Sequence, residues 1–110
     1  LTARDEWQAV RDVDYRRHRK PGAPDSLRVD YLVGPHVVSE WVCVEHTGYA
    51  REKAVAWWEL RGAGPPPDTV DDALARTDEL RCPTEAVLVR DGRYRRIKRV
   101  RFVDPEEQAA

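Results

Sequence analysis

The sequence predicts a small α+β domain: a five-stranded antiparallel sheet, with a main helix and a short helix between its third and fourth strands. Three observations carry this expectation. "SLRVDYLV" (Ser26 to Val33) alternates apolar and polar side chains at period two. "SEWVCVEHTGYAREKAVAWW" (Ser39 to Trp58) changes from strand to helical spacing partway. "TEAVLVRDGRYRRIKRVRFV" (Thr84 to Val103) places Asp91-Gly92 between two strand-like runs.

Taken in order, Val13 and Tyr15 at period two make Val10 to Tyr15 a short strand, leading into a basic loop "RRHRKPGAPDS" punctuated by Pro21-Gly22 and Pro24-Asp25. The second strand turns Leu27, Val29, Tyr31 and Val33 to one face, and Gly34-Pro35 reverses the chain. "HVVSEWVCV" is apolar on both faces, which predicts a central strand covered on both sides. Glu40 within it then needs an arginine or lysine partner, or a position near the strand's exposed end, because an unpaired buried carboxylate is expensive. Thr47 is placed to cap a helix in which Ala50, Ala54, Trp57 and Arg61 recur at helical spacing, with Val55 and Trp58 widening the stripe. Neighbouring helical residues sit about 100° apart, so of Trp57 and Trp58 one is expected in the core and the other at its boundary. Gly62 and the following "GPPP" end that helix, and Thr69 with Asp72 forms a capping pair for the short one.

In the last strand, strict alternation sets Arg93, Arg95, Ile97, Arg99 and Arg101 against Tyr94, Arg96, Lys98, Val100 and Phe102. That leaves Arg96 and Lys98 facing inward, which a bulge or an edge position would relieve. Three strands, a helix, a short helix and two strands is also the element order of an OB-like barrel, so open sheet and barrel both remain.

A chain of 110 residues predicts one domain, 1–104, followed by an acidic, disordered tail at 105–110. Its start at Leu1 suggests a piece of a longer protein. Hydrophobic residues at 41% with charged residues at 35% describe a water-soluble exterior. There is no apolar run long enough for a membrane span and no signal-peptide pattern. Cys43 and Cys82 have no paired spacing, which predicts reduced thiols and a cytoplasmic location.

The formal net charge of −1 conceals segregation. "YRRHRK" (Tyr15 to Lys20) and "RDGRYRRIKRVR" (Arg90 to Arg101) are basic, whereas "DTVDDALARTDEL" (Asp68 to Leu80) and the tail are acidic. If the basic segments fold together they make a positive face; the plainer reading pairs them with the acidic ones. Glu45-His46 has the composition of half an acid–base or metal site, or of a brace at the strand–helix junction. The three histidines and two cysteines lie in unrelated segments, so no metal ligand set is expected. No phosphate-binding glycine loop or nucleophile elbow occurs, and no catalytic residue is assigned.

"VDYRRHRKPGAPDSLRVDYLVG", "SEWVCVEHTGYAREKAVAWW" and "VRDGRYRRIKRVRF", in a match covering the chain from about Val10 to Phe102, resemble the C-terminal region of bacterial and phage superfamily 2 DEAD/DEAH-box helicases, including RadD-like DNA repair helicases. The resemblance implies an accessory domain beside an ATP-driven motor of two RecA-like domains. ATP and magnesium would belong to that parent, and this chain would hold no cofactor of its own.

Together these readings predict a nucleic-acid-binding accessory domain for single-stranded or fork DNA. Arg16, Arg17, Arg19, Lys20, Arg93, Arg95, Arg96, Lys98, Arg99 and Arg101 would hold phosphates, and Tyr94 or Trp58 would stack on a base. The alternative is a protein-interaction module that docks onto the helicase motor domains or onto an acidic partner, such as the tail of a single-strand-binding protein. A membrane partner is not expected.

Overall fold

The computed structural model describes residues 5–103. In chain order they form β1 (Trp7–His18), β2 (Ser26–Val33), β3 (His36–Val42), α1 (Gly48–Leu60), α2 (Val70–Ala75), a 3-10 turn at Thr77–Glu79, β4 (Glu85–Asp91) and β5 (Tyr94–Arg101). The strands make one open antiparallel sheet in the order β3-β2-β1-β4-β5, with β3 and β5 at its edges. This is the α+β architecture expected, in its open-sheet form. The chain divides into two compact units: one holds residues 5–13, Asp30–Ser39 and 82–103, the other Asp14–Val29 and Glu40–Arg81. The acidic tail expected from 105 lies outside the described residues.

In β2 the period-two pattern is realised in full, with Leu27, Val29, Tyr31 and Val33 all at 0% exposure. Burying a large aliphatic or aromatic side chain contributes about 1.5–3 kcal/mol, so this strand alone is a substantial part of the core.

β1 is longer than its apolar residues suggest. It runs through Tyr15–His18, so the first three residues of the expected basic loop, Arg16 to His18, are strand. The same alternation continues: Val13, Tyr15 and Arg17 are half-buried, and Asp14 and Arg16 between them are exposed. β3 departs from expectation the other way. It is an edge strand with one covered face: Val38 and Val42 are buried, while Val37 and Trp41 are 70% and 49% exposed. A strand apolar on both faces reads the same whether both are covered or one is left open.

Within the second unit, α1 buries Ala54 and Trp58, and Arg61 just past its end. Trp57 is half-buried, which is the expected division between the two tryptophans. Thr47 occupies the N-cap position but its side chain makes no capping bond. At the other end, Gly62 takes φ 67°, a left-handed conformation open to glycine at little cost, and its N–H donates to Glu59 O at 3.1 Å. The proline segment is held by arginines: Arg51 Nη1 donates to Val44 O (2.7 Å) and Pro67 O (2.6 Å), and Arg76 Nη2 to Pro65 O (2.7 Å).

Glu40 finds the expected cation. Arg61 Nη2 lies 3.7 Å from its Oε1, and Trp57 Nε1 donates to the same oxygen at 2.5 Å. The Arg61 guanidinium also lies over the Trp57 ring, 3.9 Å from its centroid. Glutamate, arginine and indole are therefore grouped at the margin of the core.

Candidate nucleic-acid interface

The β4–β5 hairpin belongs to the first unit, and two local features decide where its cations point. Asp91 pairs with Tyr94, so the two-residue loop is Gly92-Arg93 rather than the expected Asp91-Gly92. Gly92 has φ 63° and no non-glycine residue among the described residues has positive φ, the pattern of a type II′ turn, which needs that conformation only at its first central residue. A type I′ turn on Asp91-Gly92 would force aspartate into it as well. Arg93 is therefore carried at the tip, exposed.

The second feature is the bulge. Val87 pairs with Arg99 and Leu88 with Ile97, which leaves Lys98 as the extra residue. Residues opposite one another share a face. Ile97 and Val100 thus come to the same side, opposite Leu88 and Ala86, although their spacing in sequence would separate them. Tyr94, Arg96, Arg99 and Arg101 fall together on the other side, and Arg95 stays with Ile97. The arginine set expected from uninterrupted alternation is corrected accordingly. Both anticipated remedies for inward charge, a bulge and an edge position, are present.

Trp7 joins the Tyr94 face. It pairs with Val87, which pairs onward with Arg99, and the Arg101 guanidinium lies 4.2 Å from the Trp7 ring centroid. The sequence reading missed Trp7, because nothing local signals which β4 residue it would stand beside.

Carboxylates accompany many of these cations. Arg99 Nη2 and Lys98 Nζ reach Asp5 at 2.5 and 3.0 Å, Arg101 reaches Glu85 at 3.0 Å, and Arg96 lies 3.7 Å from Asp91. Hydrogen bonding from Lys98 holds the Asp5 carboxyl below its ordinary value; desolvation opposes this, and the charges of Arg99 and Lys98 add to the lowering. Arg93 and Arg95 meet no carboxylate among the described residues. The cations in pairs remain largely exposed, 57% for Arg99 and 61% for Arg96. Exposed ion pairs are worth about 0–1 kcal/mol, so such pairs exchange readily for another anion.

The first basic segment lies in the second unit and is divided between strand faces. Arg17 is drawn onto the half-buried side, where it bonds Asp25 at 2.7 Å and also Asp71, making it a structural clamp. Arg16 faces the other way beside Asp14 at 3.0 Å, and Arg19, 78% exposed, is 4.0 Å from Asp25. Lys20 is exposed and meets no carboxylate among the described residues. The aromatic expectations divide. Tyr94 is 72% exposed, whereas Trp58 is at 0% and donates its Nε1–H to Ala63 O at 3.2 Å, so it offers no face to a base. Trp41 is the exposed indole of this unit, with Arg28 5.9 Å from its ring centroid.

Glu45 takes the bracing role. Its Oε2 accepts the Val70 N–H at 2.8 Å, and Thr69 Oγ1 accepts that of Asp72 at 3.1 Å, so two side chains cap α2. Cys43 and Cys82 are free, and no cluster of metal-ligating groups occurs among the described residues. No helix among the described residues is long and apolar enough to cross a membrane.

Comparison with protein families, with curated proteins and with solved structures returns no match.

Proposed function

We propose that the chain is a nucleic-acid-binding accessory domain that engages single-stranded or fork DNA, in an ATP-dependent helicase of DNA repair or DNA metabolism. The carrying observation is the β4–β5 face, where Tyr94, Arg96, Arg99 and Arg101 stand together beside Trp7. Arginine forks match phosphate and exposed aromatic rings accept bases, and one strand face carries both. Arg93 at the hairpin tip extends the same cationic surface. In this reading ATP and magnesium are handled by the motor, and this chain contributes affinity for the strand.

Fluorescence anisotropy with labelled single-stranded oligothymidylate, repeated across salt, tests it. With about four phosphates neutralised, the logarithm of affinity should fall against the logarithm of salt with a slope of about −3. Tyr94→Ala should weaken binding by about 1–3 kcal/mol at unchanged slope. Affinity indifferent to salt, or absent, removes the proposal.

The second reading is a module that docks an acidic protein partner, and Asp5 supports it by showing that Lys98 and Arg99 already hold a carboxylate. An acidic peptide that binds while oligothymidylate does not would favour this alternative.

A further inference from the structure

The second unit carries an open depression of about 320 Å³ that the β4–β5 face does not involve. Its lining includes His18, Lys20, Ser26, Trp41, Cys43 and His46, drawn from the end of β1, the following loop, β2, the end of β3 and the connection from β3 to α1. We propose that this depression binds one nucleobase together with its attached phosphate.

Four features specify that ligand. Trp41 is 49% exposed and is held edge-on by the His18 ring, with centroids 5.8 Å apart and planes at 74°. Half of a large aromatic surface is thus left for a planar partner, an arrangement in which stacking is favourable. Next, the lining contains a lysine and no carboxylate, and the neighbouring Asp25 is held by Arg17 at 2.7 Å, so an anion meets the attraction of Lys20. Lys20 supplies the charge. Third, His46 also lines the depression, so an imidazole stands beside the indole as a polar group on its wall. Fourth, the volume lies at the low end of the range for small-molecule sites, about 300–1,000 Å³, which suits a single nucleotide and no longer ligand. A sugar would use the indole without needing Lys20, and an aromatic peptide side chain would bring no anion.

The half-buried Cys43 thiol reports occupancy, and the exposed Cys82 thiol serves as an internal control. The full chain is treated with iodoacetamide, and alkylation at each cysteine is followed by mass spectrometry. Thymidine monophosphate and adenosine monophosphate should slow alkylation of Cys43 but not of Cys82. Thymidine should protect less well, and inorganic phosphate should not protect at all. Trp41→Ala should weaken protection at least about fivefold, whereas Trp41→Phe, which keeps an aromatic face, should retain most of it. Lys20→Gln should bring the monophosphate down to the level of thymidine. Thermal unfolding of each variant shows that the fold is intact.

A short oligothymidylate distinguishes the source of the ligand. Protection at lower concentration than the monophosphate assigns the site to a nucleotide within a strand; protection by the monophosphate alone assigns it to free nucleotide. The double variant Arg93→Glu/Arg96→Glu separates this proposal from the β4–β5 face, because it should abolish strand affinity there and leave monophosphate protection of Cys43 unchanged. No protection by any monophosphate, or protection equal in Trp41→Ala, overturns the proposal.

Discussion

Replacing Glu40 by alanine probes the ion pair at the margin of the second unit's core. Arg61 is 2% exposed, with Nη1 donating to Trp57 O at 3.2 Å and Nη2 3.7 Å from the Glu40 carboxylate. The same carboxylate accepts the Trp57 indole N–H. Removing one member of a fully buried pair costs about 3–5 kcal/mol, since the remaining charge stays desolvated. Glu40 is 30% exposed, so water already shares its carboxylate and the lower end applies, about 3 kcal/mol. Glu40→Gln keeps an acceptor for the indole and should cost less, about 1–2 kcal/mol. Urea denaturation followed by far-ultraviolet circular dichroism reads the difference directly. With m near 1–3 kcal/mol/M, a loss of about 3 kcal/mol lowers the midpoint by about 1–3 M. Glu40→Ala combined with Arg61→Met should cost less than the sum of the two single changes, by about 1 kcal/mol or more. A Glu40→Ala effect below about 0.5 kcal/mol, the level of an ordinary surface substitution, would refute the reasoning.

Three further outcomes are expected. Trp58→Ala should destabilise by about 3–5 kcal/mol in the same assay, because a fully buried indole is replaced by a cavity; a loss under about 1 kcal/mol would show that Trp58 is not core. Thr69→Ala should cost about 1 kcal/mol and Glu45→Ala a comparable amount, and hydrogen exchange at the amides of Val70 and Asp72 should locate both effects at the start of α2. The lowered Asp5 carboxyl makes a stabilising contribution that is complete above its unfolded-state value and is lost as pH falls through the folded one. Acid titration of stability should therefore have a shallower limb in Asp5→Asn than in the parent, and coincident limbs would exclude the linkage.

The periodicities within single segments determined the elements of this protein. Leu27, Val29, Tyr31 and Val33 are a strand face wherever β2 lies, and Gly62 ends α1 by its own backbone freedom. The need of Glu40 for a cation was equally legible, as a charge among apolar neighbours has few other solutions. Tertiary structure decided which faces are covered. β3 has the same residues whether central or at an edge, and its edge position is what leaves Trp41 exposed. Pairing with β4 likewise set the bulge at Lys98, and with it the side to which each arginine of β5 turns. Partner carboxylates for Arg17 and Arg99 come from residues far away in the chain, Asp71 and Asp5. Such contacts depend on where the backbone returns, and spacing along the chain carries no record of that.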